Sequence, residues 1–372
     1  MLRLFAVLLA CCCLTISVEA ADEHPTLPIG ALAPDFSLKG VDGKTYSLAS
    51  FKTKPILVVV FTCNHCPTAQ AYEDRIIQLT KDYASRGVAL VAISPNDPKA
   101  IRTNELDYTD LSDTYADMQV RAARKNFNFP YLYDGATQVT SRAYGPIATP
   151  HVFIFDKDRK LRFSGRIDNV EKPSKTPTIQ DTRNALEALL MNKPVETPTT
   201  KVFGCSIKWA EKEDWLEKAK ADWAKEPVDL KMISNDGIKR LLKNDGQKLR
   251  LINVWATWCG PCVSELPEFV TINRMYRKRD FEFITISADD PAKKDKVLKT
   301  LQQLQASGSN YLIDTDDKYQ MIEAIDPNWQ GALPYTILIE PGGKIVYAKQ
   351  GTIDPAAMKT IIIDHPLIGR YF

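Results

Sequence analysis

The chain has 372 residues, with 48 Lys and Arg against 46 Asp and Glu and a formal net charge of +2. That length suits two domains of ordinary size, each able to bury its own core. The balanced charge, with no long single-sign run, argues against nucleic acid as the main partner and leaves no polybasic membrane patch.

At the N-terminus, Arg3 is followed by an apolar run over 4–16 and then Ser17-Val18-Glu19-Ala20. This pattern predicts a signal peptide over 1–20, with cleavage near Ala21. The run is short for a membrane anchor. Leu8-Leu9-Ala10-Cys11 is a loose lipobox, so plain secretion is the expectation and a lipoprotein the alternative. Cys11, Cys12 and Cys13 would leave with the signal. The mature chain would keep Cys63, Cys66, Cys205, Cys259 and Cys262, two pairs and an odd thiol rather than a disulfide framework. Export would place these thiols in an oxidising compartment, where a reductant needs an electron source.

The 24–34 stretch is Pro-rich and extended in pattern. Segments 36–38 and 44–48 flank Asp42-Gly43 and predict a hairpin. A strand over 56–61 runs into Cys63-Asn64-His65-Cys66-Pro67 and a helix over 68–85. A buried strand over 88–94 and a polar stretch over 96–125 follow. Next come a strand over 131–133, a helix over 139–144, paired strands over 152–155 and 161–164, and a helix over 182–191. The Pro/Thr stretch over 193–200 reads as a linker or surface crossing, and 209–225 as a charged connector helix.

The order then repeats. A helix over 238–242 precedes a strand over 249–256, which ends at Trp258-Cys259-Gly260-Pro261-Cys262 and a helix over 263–276. A strand over 281–288, a helix over 293–306, a strand over 311–313 and a helix over 319–325 lead to paired strands over 335–339 and 344–348. Alternating strands and helices closed by a hairpin predict an α/β protein, each half a mixed central sheet flanked by helices.

Each Cys-x-x-Cys pair stands where an apolar strand gives way to a helix. A thiol there feels unpaired backbone N–H groups and the positive end of the helix dipole. Both favour thiolate, the nucleophile of thiol–disulfide exchange. His65, between the first two cysteines, is expected to stabilise the Cys63 thiolate, which would make Cys63/Cys66 the more oxidising couple. The pairs fall in separate halves, against a zinc ribbon. Cys63 and Cys66 with His65 and His151 would suit Cu(I), a copper-handling alternative. Cys205 reads either as a small buried residue or as a third redox partner. No Rossmann or P-loop fingerprint is found in the right context, so no cofactor is implied, and no resident metal is expected.

The run Trp255-Ala256-Thr257-Trp258-Cys259-Gly260-Pro261-Cys262, with Glu265, Pro267 and Leu333-Pro334-Tyr335, resembles the TlpA-like branch of the thioredoxin superfamily. The resemblance implies that Cys259 is the attacking thiolate and Cys262 the buried resolving thiol. It makes Pro334 a cis-proline whose loop offers the backbone of Leu333 to substrate, and Glu265 the acid that exchanges protons with Cys262. Asn253 stands where thioredoxins have a buried Asp.

In the first half the resemblance is to peroxiredoxin-like, AhpC/TSA-related redoxins with a CNHCP motif. It rests on Ala33-Pro34-Asp35-Phe36, Cys63-Asn64-His65-Cys66-Pro67, Phe129-Pro130-Tyr131, Thr149-Pro150-His151, Gly165-Arg166-Ile167-Asp168 and Gly204-Cys205-Ser206. It implies catalytic Cys63 and Cys66 and substrate binding at Thr149 and Pro150. His65, Arg166 and Cys205 take tuning or accessory places. The two resemblances together imply tandem thioredoxin-like folds over 27–209 and 228–372, joined by a connector over 210–227. The implied function is an exported thiol–disulfide oxidoreductase acting on client protein thiols, recharged by a membrane thiol reductant in a bacterial envelope, with a relay of electrons between its domains. A thiol peroxidase with Cys66 as the peroxidatic residue, reduced by the second domain, is the alternative.

Overall fold

The computed structural model describes residues 24–172, 175–315 and 317–371, so the expected signal peptide and Cys11, Cys12 and Cys13 lie outside the described residues. The first half runs β1 (Ser37–Gly40), β2 (Thr45–Ser47), β3 (Ile56–Phe61), α1 (Pro67–Tyr83), β4 (Val88–Ser94), α2 (Tyr115–Lys125) and β5 (Tyr131–Tyr133). It continues with α3 (Val139–Tyr144), β6 (Ala148–Thr149), β7 (His151–Phe155), β8 (Leu161–Gly165), α4 (Asp181–Leu190) and β9 (Cys205–Ser206). Seven of these strands form a mixed sheet in the order β2-β1-β5-β4-β3-β7-β8, while β6 and β9 pair separately.

All six residues of β3 are buried, as befits a central strand covered on both faces. Its alternating side chains divide between two cores. Ile56, Val58 and Val60 pack with Tyr72, Ile76 and Leu79 of α1 and with Ala185 and Leu186 of α4. Leu57, Val59 and Phe61 pack on the other face with Phe36, Tyr144 and Phe153.

The second half adds α5 (Glu213–Ala224), β10 (Lys231–Ile233), α6 (Asn235–Lys243), β11 (Leu249–Trp255), α7 (Gly260–Tyr276), β12 (Phe281–Ser287) and α8 (Lys294–Gln303). It closes with β13 (Ser309–Ile313), α9 (Lys318–Ile325), β14 (Tyr335–Ile339), β15 (Ile345–Gln350) and α10 (Pro355–Asp364). The sheet order is β10-β13-β12-β11-β14-β15. Its first four strands are parallel, and β14 and β15 are antiparallel. Here Ile252 and Val254 of β11 face α6 and α9, whereas Leu249 and Leu251 face Phe269 and Ile272 of α7 and Ile362 of α10. The fold is therefore the α/β architecture read from the sequence, built twice.

Three features go beyond that reading. The first is β10, the edge strand of the second sheet. The second is α10, which starts on an Asp354 cap and Pro355. The third is the β6–β9 pair. The 193–200 stretch is no free linker, since Ser164 of β8 donates its N–H to the Pro198 carbonyl and accepts from the Thr200 N–H.

The halves meet through residues 106–110 of the first. Tyr276 Oη, at the end of α7, donates to the Thr109 carbonyl at 2.9 Å, and Arg279 Nη1 donates to that of Asp107 at 2.8 Å. Asp110 is the hub, accepting from Arg124 of its own half and from Thr360 and Arg370 of the other. Among the described residues, no helix is long and apolar enough to cross a membrane.

Candidate functional site

The parallel register of β3 with β4 delivers the chain after Phe61 to the rim of the sheet, where α1 begins. Cys66 is the N-cap of α1 and Pro67 opens its first turn, the place where a missing N–H costs nothing. The Cys66 sulfur accepts from the Ala69 N–H at 3.4 Å and from the Cys205 N–H at 3.4 Å. Cys63 Sγ lies 3.1 Å from Thr149 Oγ1, and Cys66 Sγ lies 3.4 Å from the Thr149 carbonyl oxygen. Thr149 precedes a cis bond to Pro150 and pairs with Cys205 across β6–β9. Cys63, Cys66 and Cys205 form one cluster, with Cys63 at 2% and Cys66 at 0% exposure and Cys205 half-buried.

His65 is fixed by an acid that the sequence reading passed over. Asp113 accepts from the backbone N–H groups of Asn64 and His65, from Asn96 Nδ2, and from His65 Nδ1 at 2.7 Å. Burial favours a neutral imidazole, but Asp113 outweighs it and the His65 pKa rises. The dyad changes which thiol ionises. Burial opposes a Cys66 thiolate, yet hydrogen bonds from Cys205 and Cys63, the charge of His65 and the Ala69 N–H hold Cys66 well below the usual cysteine range. Burial pushes Cys63 well up, with Cys66 and Asp113 adding to the effect. The expectation that His65 would stabilise a Cys63 thiolate is therefore corrected, because its charge serves Cys66.

In the second half Cys259 caps α7 and accepts from the Cys262 N–H at 3.3 Å. The two cysteines are joined as a disulfide. Cys262 is fully buried, Cys259 nearly so, and the neighbouring Trp258 is 66% exposed. Asp289 holds the approach to the pair, accepting from the N–H and hydroxyl of Thr257. Leu333 precedes the cis bond to Pro334 and packs against the cluster that contains Cys259 and Cys262. Glu265, one turn beyond Cys262, accepts from Asn253 Nδ2 at 3.3 Å and from the Ile353 N–H at 3.1 Å. Burial pushes its carboxyl up, against both of those bonds. Asn253 also donates to Thr336, so it spans β11, α7 and β14 at the place of the missing Asp.

Cys63, Cys66, His65, Thr149, Pro150 and Cys205 thus converge in one half, and Cys259, Cys262, Glu265, Leu333 and Pro334 in the other. Arg166 does not join the first group, since its Nε donates to Asp181 at 2.7 Å at the start of α4. His151 is also turned inward, with Nδ1 accepting from the Ile147 N–H and Nε2 3.0 Å from Ser164 Oγ. Burial pushes its pKa down to about 3, and with both nitrogens engaged it is a poor metal ligand. Asp113 was missed because Asp113-Thr114 reads as an ordinary cap, and Thr114 does cap α2.

Two family models match the chain, one described as the AhpC/TSA family over 29–164 and one as Redoxin over 217–362. The chain belongs to the thioredoxin superfamily as a tandem of an AhpC/TSA domain and a redoxin domain. Curated relatives carry the name thiol-disulfide oxidoreductase ResA. The Bacillus subtilis protein is 26% identical over 102 residues, 27% of this chain and 52% of that protein. The Geobacillus thermodenitrificans protein is 25% identical over 158 residues, 42% of this chain and 79% of that one. The chain therefore spans about half the length of the first relative. Among solved structures, a hypothetical protein from Sinorhizobium meliloti 1021 is 33% identical with a TM-score of 0.45, covering 50% of this chain and 97% of that one. A thiol:disulfide interchange protein of the thioredoxin family from Chlorobium tepidum TLS is 20% identical with a TM-score of 0.33, covering 44% and 99%.

Proposed function

We propose that the protein is an exported thiol–disulfide oxidoreductase with two dithiol centres, acting on protein clients and recharged by a thiol reductant at the membrane. The observation that carries this reading is the Cys259–Cys262 disulfide at the start of α7, beside the exposed Trp258 and the cis Leu333–Pro334 loop. In that reading Cys259 attacks the client disulfide, Cys262 resolves the mixed disulfide, and Glu265 supplies or takes the proton of Cys262. Cys63 and Cys66 form the second couple, and a stabilised Cys66 thiolate favours its reduced form, which raises its potential. Electrons then pass downhill from the redoxin domain to the AhpC/TSA domain.

Differential alkylation with peptide mapping across a graded glutathione series tests the reading. Two cooperative two-electron transitions, one for each pair, are expected. If neither pair oxidises as a unit, the exchange function is wrong.

A thiol peroxidase is the second reading, favoured by the Cys66 thiolate within the AhpC/TSA half. The engagement of Arg166 by Asp181 speaks against it. Peroxide consumption lost in Cys66→Ser and kept in Cys63→Ser would establish it. Copper handling is weaker still, because His151 is occupied, and full exchange activity in metal-free protein removes it.

A further inference from the structure

Cys205 lies outside both Cys-x-x-Cys pairs, yet the fold brings it to Cys66, the more acidic sulfur of the first pair. Its N–H donates to Cys66 Sγ at 3.4 Å, and Cys63, Cys66 and Cys205 share one cluster. Several contacts fix it there. Cys205 is in register with Thr149 across β6–β9, and Lys208, three residues on, donates its N–H to Asn96 Oδ1 while Asn96 Nδ2 holds Asp113. Gly204 has φ +146° and is so close to Thr149 that a Cβ would stand 2.0 Å from its carbonyl oxygen. Only glycine lets the two segments approach this way.

The three thiols differ in access. Cys63 and Cys66 are buried, whereas Cys205 is half-exposed. A disulfide confined to Cys63 and Cys66 would be sealed from a folded partner, and one that includes Cys205 would present a sulfur at the surface.

We infer that Cys66 is a shared sulfur with two disulfide partners, Cys63 and Cys205, and that Cys205 is a third catalytic cysteine that moves the disulfide between the buried pair and the surface. The inference rests on the dithiol-exchange reading of the first domain. Cys205, the accessible thiol, gives up its proton and attacks a client disulfide RS–SR′, its S–S bond breaks, and R′S⁻ leaves to take up that proton. The Cys66 thiolate then attacks Cys205 Sγ. The mixed disulfide breaks, RS⁻ leaves, and Cys66–Cys205 forms. Two cysteines have then given two electrons to the client. When Cys63–Cys66 is the disulfide present, the Cys205 thiolate attacks Cys66, Cys63 leaves as a thiol, and no net electrons move.

The test uses the full chain carrying Cys259→Ser and Cys262→Ser, so that only the first centre titrates. Reduced protein is oxidised with glutathione disulfide, quenched with acid, and its linkages mapped by mass spectrometry. Both Cys63–Cys66 and Cys66–Cys205 are expected. Adding Cys63→Ser should leave one intramolecular disulfide per chain, as Cys66–Cys205. Adding Cys205→Ser, or Cys205→Ala as a second form, should leave Cys63–Cys66 but make its reduction by an external protein thiol roughly tenfold slower, through lost access. If Cys66–Cys205 is absent from both the starting protein and the Cys63→Ser form while Cys205→Ser still closes Cys63–Cys66, the inference falls and dithiol exchange stands. If no variant closes any of these linkages, both fall.

Discussion

Cys63 and Cys66 ionise in opposite directions although both are buried, and the difference lies in what faces each sulfur. Cys66 receives the Ala69 N–H of the α1 start, the Cys205 N–H of β9 and the His65 charge, while Cys63 meets a hydroxyl and lies close enough to Asp113 to feel its negative charge. Cys66→Ser should therefore remove the part of the ultraviolet thiolate absorbance that appears below the ordinary cysteine range in a pH titration, and Cys63→Ser should keep it. Because the Cys66 pKa is depressed, that absorbance persists as pH falls below the ordinary cysteine range and disappears only when Cys66 itself protonates. His65→Gln removes a positive charge, so the titration midpoint should rise by about one pH unit. Glu265 works with the other sign. Its raised pKa keeps the proton longer as pH rises, so Glu265 acting as the proton donor in the proposed exchange predicts activity that falls once that proton is lost. Glu265→Gln should lower turnover on a protein disulfide roughly 100-fold, leave KM unchanged and flatten that pH limb.

Among the elements, the pair β6–β9 matters most for its size. Two residues on each strand set the distance between Thr149 and Cys205. Gly204→Ala should destabilise the first domain by about 1–3 kcal/mol in denaturant unfolding, because an alanine there is both strained and in collision with the Thr149 carbonyl. Unchanged stability would mean that β9 lifts away freely. The longer elements were legible in the sequence. The run over 56–61 is unbroken apolar, the strand over 249–255 is apolar apart from Arg250 and Asn253, and α1 repeats its apolar positions at helical spacing. What the sequence hid was short or long-range. A two-residue ladder leaves no periodicity to read, and β10 has a single buried residue. In the candidate site the cysteines and the cis-proline loops were visible as motifs. The Asp113–His65 dyad was not, because it joins residues 48 positions apart and looks locally like a helix cap. The partner of Arg166 escaped for a similar reason, since Asp181 belongs to the start of α4.

At the scale of the molecule, the halves are held by a small polar hub on Asp110. Burial opposes its charge, but Arg124, Arg370 and Thr360 outweigh that and hold its pKa at about 2, against 3.8 for a free carboxyl. A depressed carboxyl pKa contributes stability that is complete above 3.8 and lost as pH falls through about 2. Arg370→Ala should weaken the docking by about 2 kcal/mol. It should also speed proteolysis near residues 106–110 and enlarge the particle in small-angle scattering. A scattering profile identical to wild type would show that Tyr276 and Arg279 suffice.

Helix α7 carries one dithiol at its start and touches the other half at its end, a span of 17 residues, about 25 Å. Disulfide exchange needs sulfur to meet sulfur, and the Cys259 pair stands a helix length from the seam on which the halves dock. The proposed relay would therefore cross through a shared visitor, a second copy, or a parting of the halves, and a tight client trapped at Cys259 would interrupt it.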